Sequence, residues 1–289
     1  MDHPPAAALN TPSPGPRRLA DAWRRIVARL STDCPLCGGA AHGARLCRGC
    51  ADDLRLAWQA ATPRRCLRCA MPAMDTAGRG CGCPLRHAAF VQAVAAFDYR
   101  PPADLLVLDL KNRLRLSRVR AVAALMSQAA REAGLCQDAS RVLVPVPASR
   151  ASLQRRGFNP AAELARAVSA ELGWSCRGEW LARVRDGRKQ SRLGREARRL
   201  AVLGAYACPV RIDGARVVLV DDVMTTGSTA DSAARALVRA GAAEVVVLVA
   251  ARAWSEMPVD GAGTAAGVIP PAGAPAHRTP ARRPMPDDR

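Results

Sequence analysis

The most distinctive group of polar residues in the chain lies between positions 221 and 229. Two adjacent carboxylates, Asp221 and Asp222, follow the apolar residues 217–220. Small and hydroxyl-bearing residues come shortly afterwards: Thr225, Thr226, Gly227, Ser228 and Thr229. If this segment leaves a strand and opens a helix, its backbone N–H groups form a nest that binds a phosphate dianion. The pattern therefore predicts an anion site beside an acidic pair.

The two carboxylates need a different partner, because they repel a phosphate. They suit ribose hydroxyls, which donate hydrogen bonds, or a divalent cation that bridges to a pyrophosphate. Gly227 lets a ligand approach the backbone closely. Either half of the pattern alone is also typical of an ordinary strand–turn–helix with a Ser or Thr N-cap. The combination favours a sugar phosphate.

A second candidate site is the group of eight cysteines, of eleven in the chain, that lies between residues 34 and 83. They form four closely spaced pairs: Cys34/Cys37, Cys47/Cys50, Cys66/Cys69 and Cys81/Cys83. Two such pairs complete a tetrahedron around zinc at S–Zn distances of ~2.3 Å, so eight sulfurs predict two sites. The last pair has one spacer residue rather than two, which changes its turn. A disulfide framework is the alternative, and a reducing cytosol disfavours it.

Composition limits the classes of protein to consider. The chain has 289 residues, 49% of them hydrophobic, and a formal net charge of +18. No apolar run approaches the ~18 residues of a membrane span. Residues 1–16 carry no basic segment followed by an apolar one, so we expect no secretory signal and a cytoplasmic protein. Only Lys111 and Lys189 are lysines, and the guanidinium groups that supply the other positive charges suit phosphate recognition. An arginine-rich composition without any such partner is the alternative.

Apolar periodicity places these sites on a succession of strands and helices. Strands are predicted at residues 89–99, 141–147, 216–220 and 244–251, and helices at 17–31, 103–111, 117–133, 160–172 and 228–240. Asn159 is a plausible N-cap for the helix that opens with Pro160. Strands that alternate with helices predict an α/β fold with a mostly parallel, doubly wound sheet.

The domain organisation follows from changes in composition. Residues 1–16 and 255–289 are rich in proline and are expected to be disordered tails. Residues 17–86 are expected to hold an amphipathic helix and a small cysteine-rich double zinc ribbon. Since that segment has few branched aliphatic residues, metal binding would supply most of its folding energy. Residues 87–254 are expected to form the α/β domain.

Residues 217–229 resemble the phosphoribosyl-diphosphate (PRPP) binding motif of type I phosphoribosyltransferases. Three further blocks behind the cysteine-rich ribbon, at residues 144–147 (VPVP), 155–159 (RRGFN) and 190–206, make residues 30–254 similar to the ComF family of competence-associated proteins. The chain departs from the family pattern at Asn112, Pro160 and Ala201.

The resemblance implies a type I phosphoribosyltransferase-like fold and specific roles. Asp221 and Asp222 would hold the ribose hydroxyls near magnesium, and the five residues Thr225, Thr226, Gly227, Ser228 and Thr229 would hold the 5′-phosphate. Arg150, Arg155 and Arg156 would lie at the pyrophosphate.

Residues 150–200 contain thirteen Arg or Lys residues and five acidic ones. This basic segment could stabilise departing pyrophosphate, bind a nucleic-acid backbone, or be a solvated face. Phe158, Trp174 and Trp180 could stack on bases, although we expect at least one of them to be in the core.

Three functions fit these observations. The first, implied by the family resemblance, is a PRPP-binding protein that handles single-stranded DNA during natural transformation, with DNA-uptake proteins as partners. The second is an active phosphoribosyltransferase whose base substrate is not identifiable from the sequence. The third is a regulatory module that only senses PRPP.

Overall fold

The computed structural model describes residues 29–60, 65–72, 84–113, 116–185 and 204–253. The chain separates into two units, Met1–Trp254 and Ser255–Arg289, and every described residue belongs to the first. The expected tails, Cys81, Cys83, residues 190–203 and all but the end of the predicted helix 17–31 lie outside the described residues. The predicted domain boundaries stay predictions.

The first described segment is a small cysteine-bearing hairpin followed by a helix. Strands β1 (Ser31–Asp33) and β2 (Ala40–His42) pair antiparallel, and helix α1 (Arg48–Ala60) follows. Between the strands, the Cys34 amide donates to the Gly39 carbonyl at 2.7 Å, which closes a tight turn. Few apolar side chains are buried here, so the hairpin has little core of its own.

The main sheet of the described chain has five parallel strands: β3 (Gln92–Asp98), β4 (Val142–Pro145), β5 (Ser175–Cys176), β8 (Arg216–Met224) and β9 (Glu244–Arg252). Their order across the sheet is β3-β9-β8-β4-β5. A separate two-stranded antiparallel sheet consists of β6 (Ala182–Arg183) and β7 (Tyr206–Ala207). The expected mostly parallel α/β architecture is confirmed.

Helices cover both faces of the parallel sheet. They are α2 (Asp104–Arg113), α3 (Leu116–Glu132), α4 (Arg150–Arg156), α5 (Pro160–Leu172) and α6 (Ser228–Arg239). Successive strand side chains point to opposite faces, so Val218 and Val220 of β8 join the core beneath α3 and α5. Val217 and Leu219 join the core beneath α6. Among the described residues, no helix combines the length and the apolar character that a membrane span requires.

The predicted start of α5 is confirmed in detail. The Asn159 side chain accepts a hydrogen bond from the Ala161 amide at 3.2 Å, with Pro160 in the first turn. Gly173 ends the helix in the left-handed conformation, with φ of 76°. Trp174, directly after it, is 4% exposed, so this tryptophan belongs to the core and offers no stacking surface.

The predicted end of the strand before the acidic pair is wrong. β8 was expected to stop at residue 220, but it continues through both carboxylates to Met224. The reason is that β9 is long enough to pair with the extension, with Asp221 opposite Val249 and Met224 opposite Arg252. The acidic pair therefore lies among the last residues of β8 that pair with β9, and not in the loop beyond the strand.

Candidate functional site

Residues 225–229, which follow β8 and include the first two residues of α6, are here called the phosphate loop. Gly227 has a φ of 77°, a left-handed conformation that favours glycine. A pocket at this edge of the sheet is lined by the phosphate loop together with Asp221 and Val249. The structure thus brings Thr225, Thr226, Gly227, Ser228 and Thr229 to one pocket with the first acidic residue of the pair.

Hydroxyl groups in the phosphate loop bond to each other. The Thr226 and Ser228 hydroxyl oxygens are 2.8 Å apart, and the Ser228 amide donates to Thr226 Oγ1 at 3.4 Å. These bonds order the hydroxyl groups beside the first turn of α6, where the partial positive charge of the helix N-terminus attracts an anion.

Gly227 has a second role that the sequence did not indicate. A Cβ built on it would lie 2.5 Å from Cδ1 of Leu85, a buried residue of the short 3-10 helix Pro84–His87. The absent side chain therefore makes room for a leucine from the segment that follows the cysteines. The phosphate loop is packed from behind as well as open to a ligand.

The acidic pair is electrostatically strained. The Asp222 amide donates to Asp221 Oδ1 at 2.8 Å. Burial, together with the charge of Asp222, raises the pKa of Asp221 to about 8. Asp221 therefore carries a proton at neutral pH, and a cation that binds there must displace it. Carboxylate oxygens are ligands that magnesium takes together with substrate phosphates, so Asp221 and Asp222 are chemically suited to hold it.

Two further residues at this site were not assigned a role from the sequence. The Lys111 ammonium lies 3.4 Å from Asp222 Oδ2. Burial and the charges of Asp104 and Asp222 raise the pKa of Tyr99, so its phenol responds to the charge of the acidic pair. Lys111 is one of only two lysines in the chain, which was the available signal for the first. Nothing in the local sequence pointed to the tyrosine.

The three arginines predicted for pyrophosphate lie on or at the ends of α4. This helix follows β4, and because the strands are parallel, β4 ends at the same edge of the sheet as β8. The Ser149 side chain caps α4 by accepting from the Ser152 amide at 3.2 Å. Arg150 and Arg155 are exposed and Arg156 is half-buried. None of the three is among the described residues that line the pocket, so their role stays a prediction.

The first cysteine cluster is assembled as expected. The sulfur atoms of Cys34, Cys37, Cys47 and Cys50 lie within 4.8 Å of one another, and those of Cys37 and Cys47 are 3.7 Å apart. Four ligands at the S–Zn distance of ~2.3 Å give tetrahedron edges of about 3.8 Å. The cluster could hold a zinc ion, and the sulfur separation is too long for a disulfide bond.

Crowding perturbs the thiols of this cluster in opposite directions. Burial raises the pKa of Cys34, but hydrogen bonds from the amides of Cys37 and Cys47 outweigh it and lower this pKa to about 6. Burial and hydrogen bonds to the neighbouring cysteines raise the pKa of Cys50. The cluster favours one thiolate and disfavours a second one beside it. A divalent metal ion stabilises several thiolates at once because its charge offsets their repulsion.

The second cysteine group is described only in part. Cys66 and Cys69 lie in a turn in which the Ala70 amide donates to the Cys66 carbonyl at 2.8 Å, and Cys69 is buried. Their predicted co-ligands, Cys81 and Cys83, lie outside the described residues, so the second zinc site stays a prediction. Cys176 and Cys208 are half-buried and Cys136 is exposed.

Comparison with known proteins identifies the relatives of this chain. The family model described as the phosphoribosyl transferase domain matches residues 115–262. A "DNA utilization protein YhgH" of Salmonella typhimurium is 34% identical over 187 residues, which cover 63% of this chain and 81% of that protein. The protein of the same name in Escherichia coli strain K12 is 33% identical over the same shares. "Competence protein F" of Haemophilus influenzae is 28% identical over 227 residues, or 76% of this chain and 96% of that protein.

The matched residues include the phosphate loop, the acidic pair and the strands that carry them. The fold, the pocket and the cysteine cluster that precedes the sheet agree with these relationships. The chain therefore belongs to the phosphoribosyltransferase domain family, as a ComF-type member with a cysteine cluster near its N-terminus.

Proposed function

We propose that this protein binds PRPP with magnesium at the pocket that Asp221 shares with the phosphate loop. The observation that carries the proposal is that Asp221 shares one pocket with all five residues of the phosphate loop. The loop would hold the 5′-phosphate through amides and hydroxyls, while Asp221 and Asp222 would hold ribose hydroxyls and the cation. Magnesium would neutralise the pyrophosphate and relieve the repulsion within the acidic pair.

The other residues have supporting roles in this proposal. Lys111 would orient the Asp222 side chain through its ammonium group at 3.4 Å. Arg150, Arg155 and Arg156 would approach the pyrophosphate from the end of β4, a role supported by family resemblance. Cys34, Cys37, Cys47 and Cys50 would hold one structural zinc, and Cys66, Cys69, Cys81 and Cys83 a second.

Calorimetric titration with PRPP and magnesium tests the proposal directly. We expect saturable binding by the wild type and a loss of at least about tenfold in affinity for the Asp221→Asn, Asp222→Asn double variant, because charged partners contribute most to such contacts. Asp213→Asn is the matched control, since Asp213 is exposed and pairs with Arg211 instead. Absence of heat with the wild type, or equal affinity for the double variant, would refute the proposal.

We further propose that the protein handles single-stranded DNA during natural transformation, in the cytoplasm and together with proteins of the DNA-uptake machinery. Three observations support this function: the names of its relatives, the net charge of +18 and the arginine-rich residues 150–200. Reducing conditions there keep cysteine thiols free for metal. Phosphate contacts dominate such binding, so affinity should fall steeply with salt, with a log–log slope of about −0.7 per neutralised phosphate.

Fluorescence anisotropy with a labelled oligonucleotide measures that slope. If the affinity for DNA is unchanged between low and high salt, DNA handling through the basic segment, residues 150–200, is contradicted. Repeating the titration with saturating PRPP separates two versions of the proposal. A shift in DNA affinity would indicate that PRPP acts as a signal, whereas no shift would indicate independent sites.

The second candidate function is catalysis of phosphoribosyl transfer, favoured by the family match over residues 115–262. In this reaction a ring nitrogen of the base forms a bond to C1 of the ribose while the bond from C1 to pyrophosphate breaks. The protein would act through positioning and charge stabilisation. Pyrophosphate release from PRPP with a panel of nucleobases tests it. If no nucleobase releases pyrophosphate although PRPP still binds, a binding function alone is favoured.

A further inference from the structure

One buried arginine lies directly behind the phosphate loop. Arg252, the last residue of β9, is 3% exposed. Its Nε donates to the Cys69 carbonyl at 2.6 Å, and its Nη1 donates to the Met224 carbonyl at 2.9 Å. The same Nη1 contacts the carbonyls of Thr225 and Ala253, each at 2.5 Å. Backbone carbonyls of three separate segments therefore converge on one guanidinium.

These contacts fix the direction of the first two amides at the entrance to the phosphate loop. In a trans peptide the carbonyl of one residue and the N–H of the next point in opposite directions. Because the carbonyls of Met224 and Thr225 point toward Arg252, the amides of Thr225 and Thr226 point away from it. Successive amides that face the same way form an anion-binding concavity. The arginine thus arranges donors that it does not itself supply.

The guanidinium also places a permanent positive charge behind the phosphate loop. A buried arginine stays protonated, and its field is weakly screened where water is excluded. The contact with Cys69 comes from the segment before the sheet, far from residue 252 in sequence. Leu85 of the same part of the chain fills the space behind Gly227. The phosphate loop is therefore held by residues outside the family match, which begins at residue 115.

We propose that Arg252 is a positioning residue of the phosphate loop, which holds the amides of Thr225 and Thr226 toward the ligand and is itself held in place by the Cys69 carbonyl. The proposal rests on the proposed function in one respect, namely that the ligand of the phosphate loop is the phosphate of PRPP. The backbone arrangement it assigns exists with or without that ligand.

The test compares two buried arginines at opposite ends of the same sheet. Arg141 is 9% exposed and pairs with Glu244 at 2.6 Å, just before β4 begins. Both Arg252→Gln and Arg141→Gln remove a buried guanidinium, so both should lower the midpoint of urea unfolding. Affinity for PRPP with magnesium, and for inorganic phosphate alone, should fall about tenfold to a hundredfold only for Arg252→Gln. For Arg141→Gln it should stay within about twofold of the wild type.

Hydrogen exchange of the full chain supplies a readout that needs no ligand. Exchange in the peptide containing Thr225 and Thr226 should accelerate in Arg252→Gln and stay unchanged in Arg141→Gln. If the wild type binds no PRPP, the proposed function fails, while the exchange comparison still decides the role of Arg252. Equal exchange and equal affinity in Arg252→Gln and the wild type would overturn the proposal, as would equal losses of affinity in both glutamine variants.

Arg252→Lys covers the case in which the glutamine variant does not fold. A lysine keeps the charge but lacks the planar fork that reaches separate carbonyls. We expect its phosphate affinity and its exchange rate to lie between those of the wild type and Arg252→Gln, or to differ measurably from the wild type if the glutamine variant is lost. A lysine variant that matches the wild type in both measurements would refute the positioning role.

Discussion

The cysteine hairpin and the parallel sheet are stabilised by different means. In the hairpin and its connections, residues 31–50, the buried hydrophobic residues are Cys34 and Ala41. In β8 and β9, by contrast, a continuous run of apolar residues is fully covered, including Leu219 and Leu248, each at 0% exposure. The sheet obtains its stability from apolar burial. Residues 31–50 bury few apolar side chains, so we expect their stability to depend on a metal ion bound by the four cysteines.

The proposed PRPP pocket belongs to the sheet, since all of its lining residues lie in β8, in β9 or at the start of α6 and the loop before it. The carboxyl edge of the sheet cannot be apolar if it binds a sugar phosphate, so its support comes from elsewhere. Leu85 and the Cys69 carbonyl, both from the N-terminal part of the chain, contact the phosphate loop or the arginine behind it. The N-terminal segment therefore supports the phosphate loop from behind, although none of its described residues lines the pocket.

Removal of the metal should give the largest difference in stability between the hairpin and the sheet. Structural zinc contributes about 10–16 kcal/mol to the folding of small zinc domains, so a chelator should unfold residues 31–50 while leaving β8 and β9 protected. Zinc analysis and hydrogen exchange before and after chelation measure this. Purified protein without zinc, or a hairpin that stays protected after chelation, would show that apolar packing suffices there.

Truncation of a core leucine should have the next largest effect. Leu219→Ala removes a fully buried side chain and should lower the free energy of unfolding by about 2–5 kcal/mol. Leu56→Ala is the matched control, because Leu56 in α1 is 57% exposed and such surface changes usually stay within about 0.5 kcal/mol. Urea unfolding followed by circular dichroism gives both values. Similar losses in the two variants would mean that burial does not distinguish these positions.

Gly227→Ala should have a smaller effect on stability and a clear effect on ligand binding. A side chain at a φ of 77° costs about 1–3 kcal/mol, and the new Cβ would also meet Leu85. Gly214→Ala is the control, since its φ of 74° is similar and no atom lies within 4 Å of the added Cβ.

Unfolding free energies and phosphate affinities of both glycine variants, and of Gly227→Ala combined with Leu85→Ala, separate the two causes. We expect Gly227→Ala to lose more stability than Gly214→Ala and the combined variant to regain phosphate affinity. Equal losses for the two single variants would show that Leu85 does not restrict the phosphate loop.

The acidic pair should give an effect that is seen only as a dependence on pH. With the pKa of Asp221 raised to about 8, cation binding releases a proton below that pH. Magnesium-dependent affinity for PRPP should therefore rise by up to about tenfold per pH unit and level off near pH 8. Calorimetry between pH 6 and 9 in buffers of different ionisation enthalpy counts the protons released. Affinity independent of pH would contradict a protonated Asp221.

The same shift has a consequence for stability. The unfolded chain loses this proton near 3.8, so the folded state binds more protons between that pH and about 8. The contribution of Asp221 to stability is thus complete below the lower value and declines as pH rises toward the upper one. Asp221→Asn should match the wild type at low pH and be more stable near pH 8. A constant difference across this range would contradict the assignment.

Much of the fold could be predicted from local patterns. Helix α5 begins at Pro160 because Asn159 and Pro160 are both favoured at a helix start, and its end at Gly173 follows from the left-handed residue there. The four cysteines of the first cluster were predicted to converge because their pair spacing suits a metal. The length of β8 was not predicted, because pairing with β9 extends the strand beyond its apolar residues.

Residues a few positions apart define the α/β succession, the cysteine pairs and the composition of the phosphate loop, so these features could be read from the chain alone. Tertiary packing was needed for three contacts: Lys111 lies 3.4 Å from Asp222, Leu85 fills the space behind Gly227, and Arg252 binds the carbonyls of Met224 and Thr225. Those partners are far apart along the chain. Parallel strand pairing and burial bring them together, and a local pattern of residues does not predict such long-range contacts.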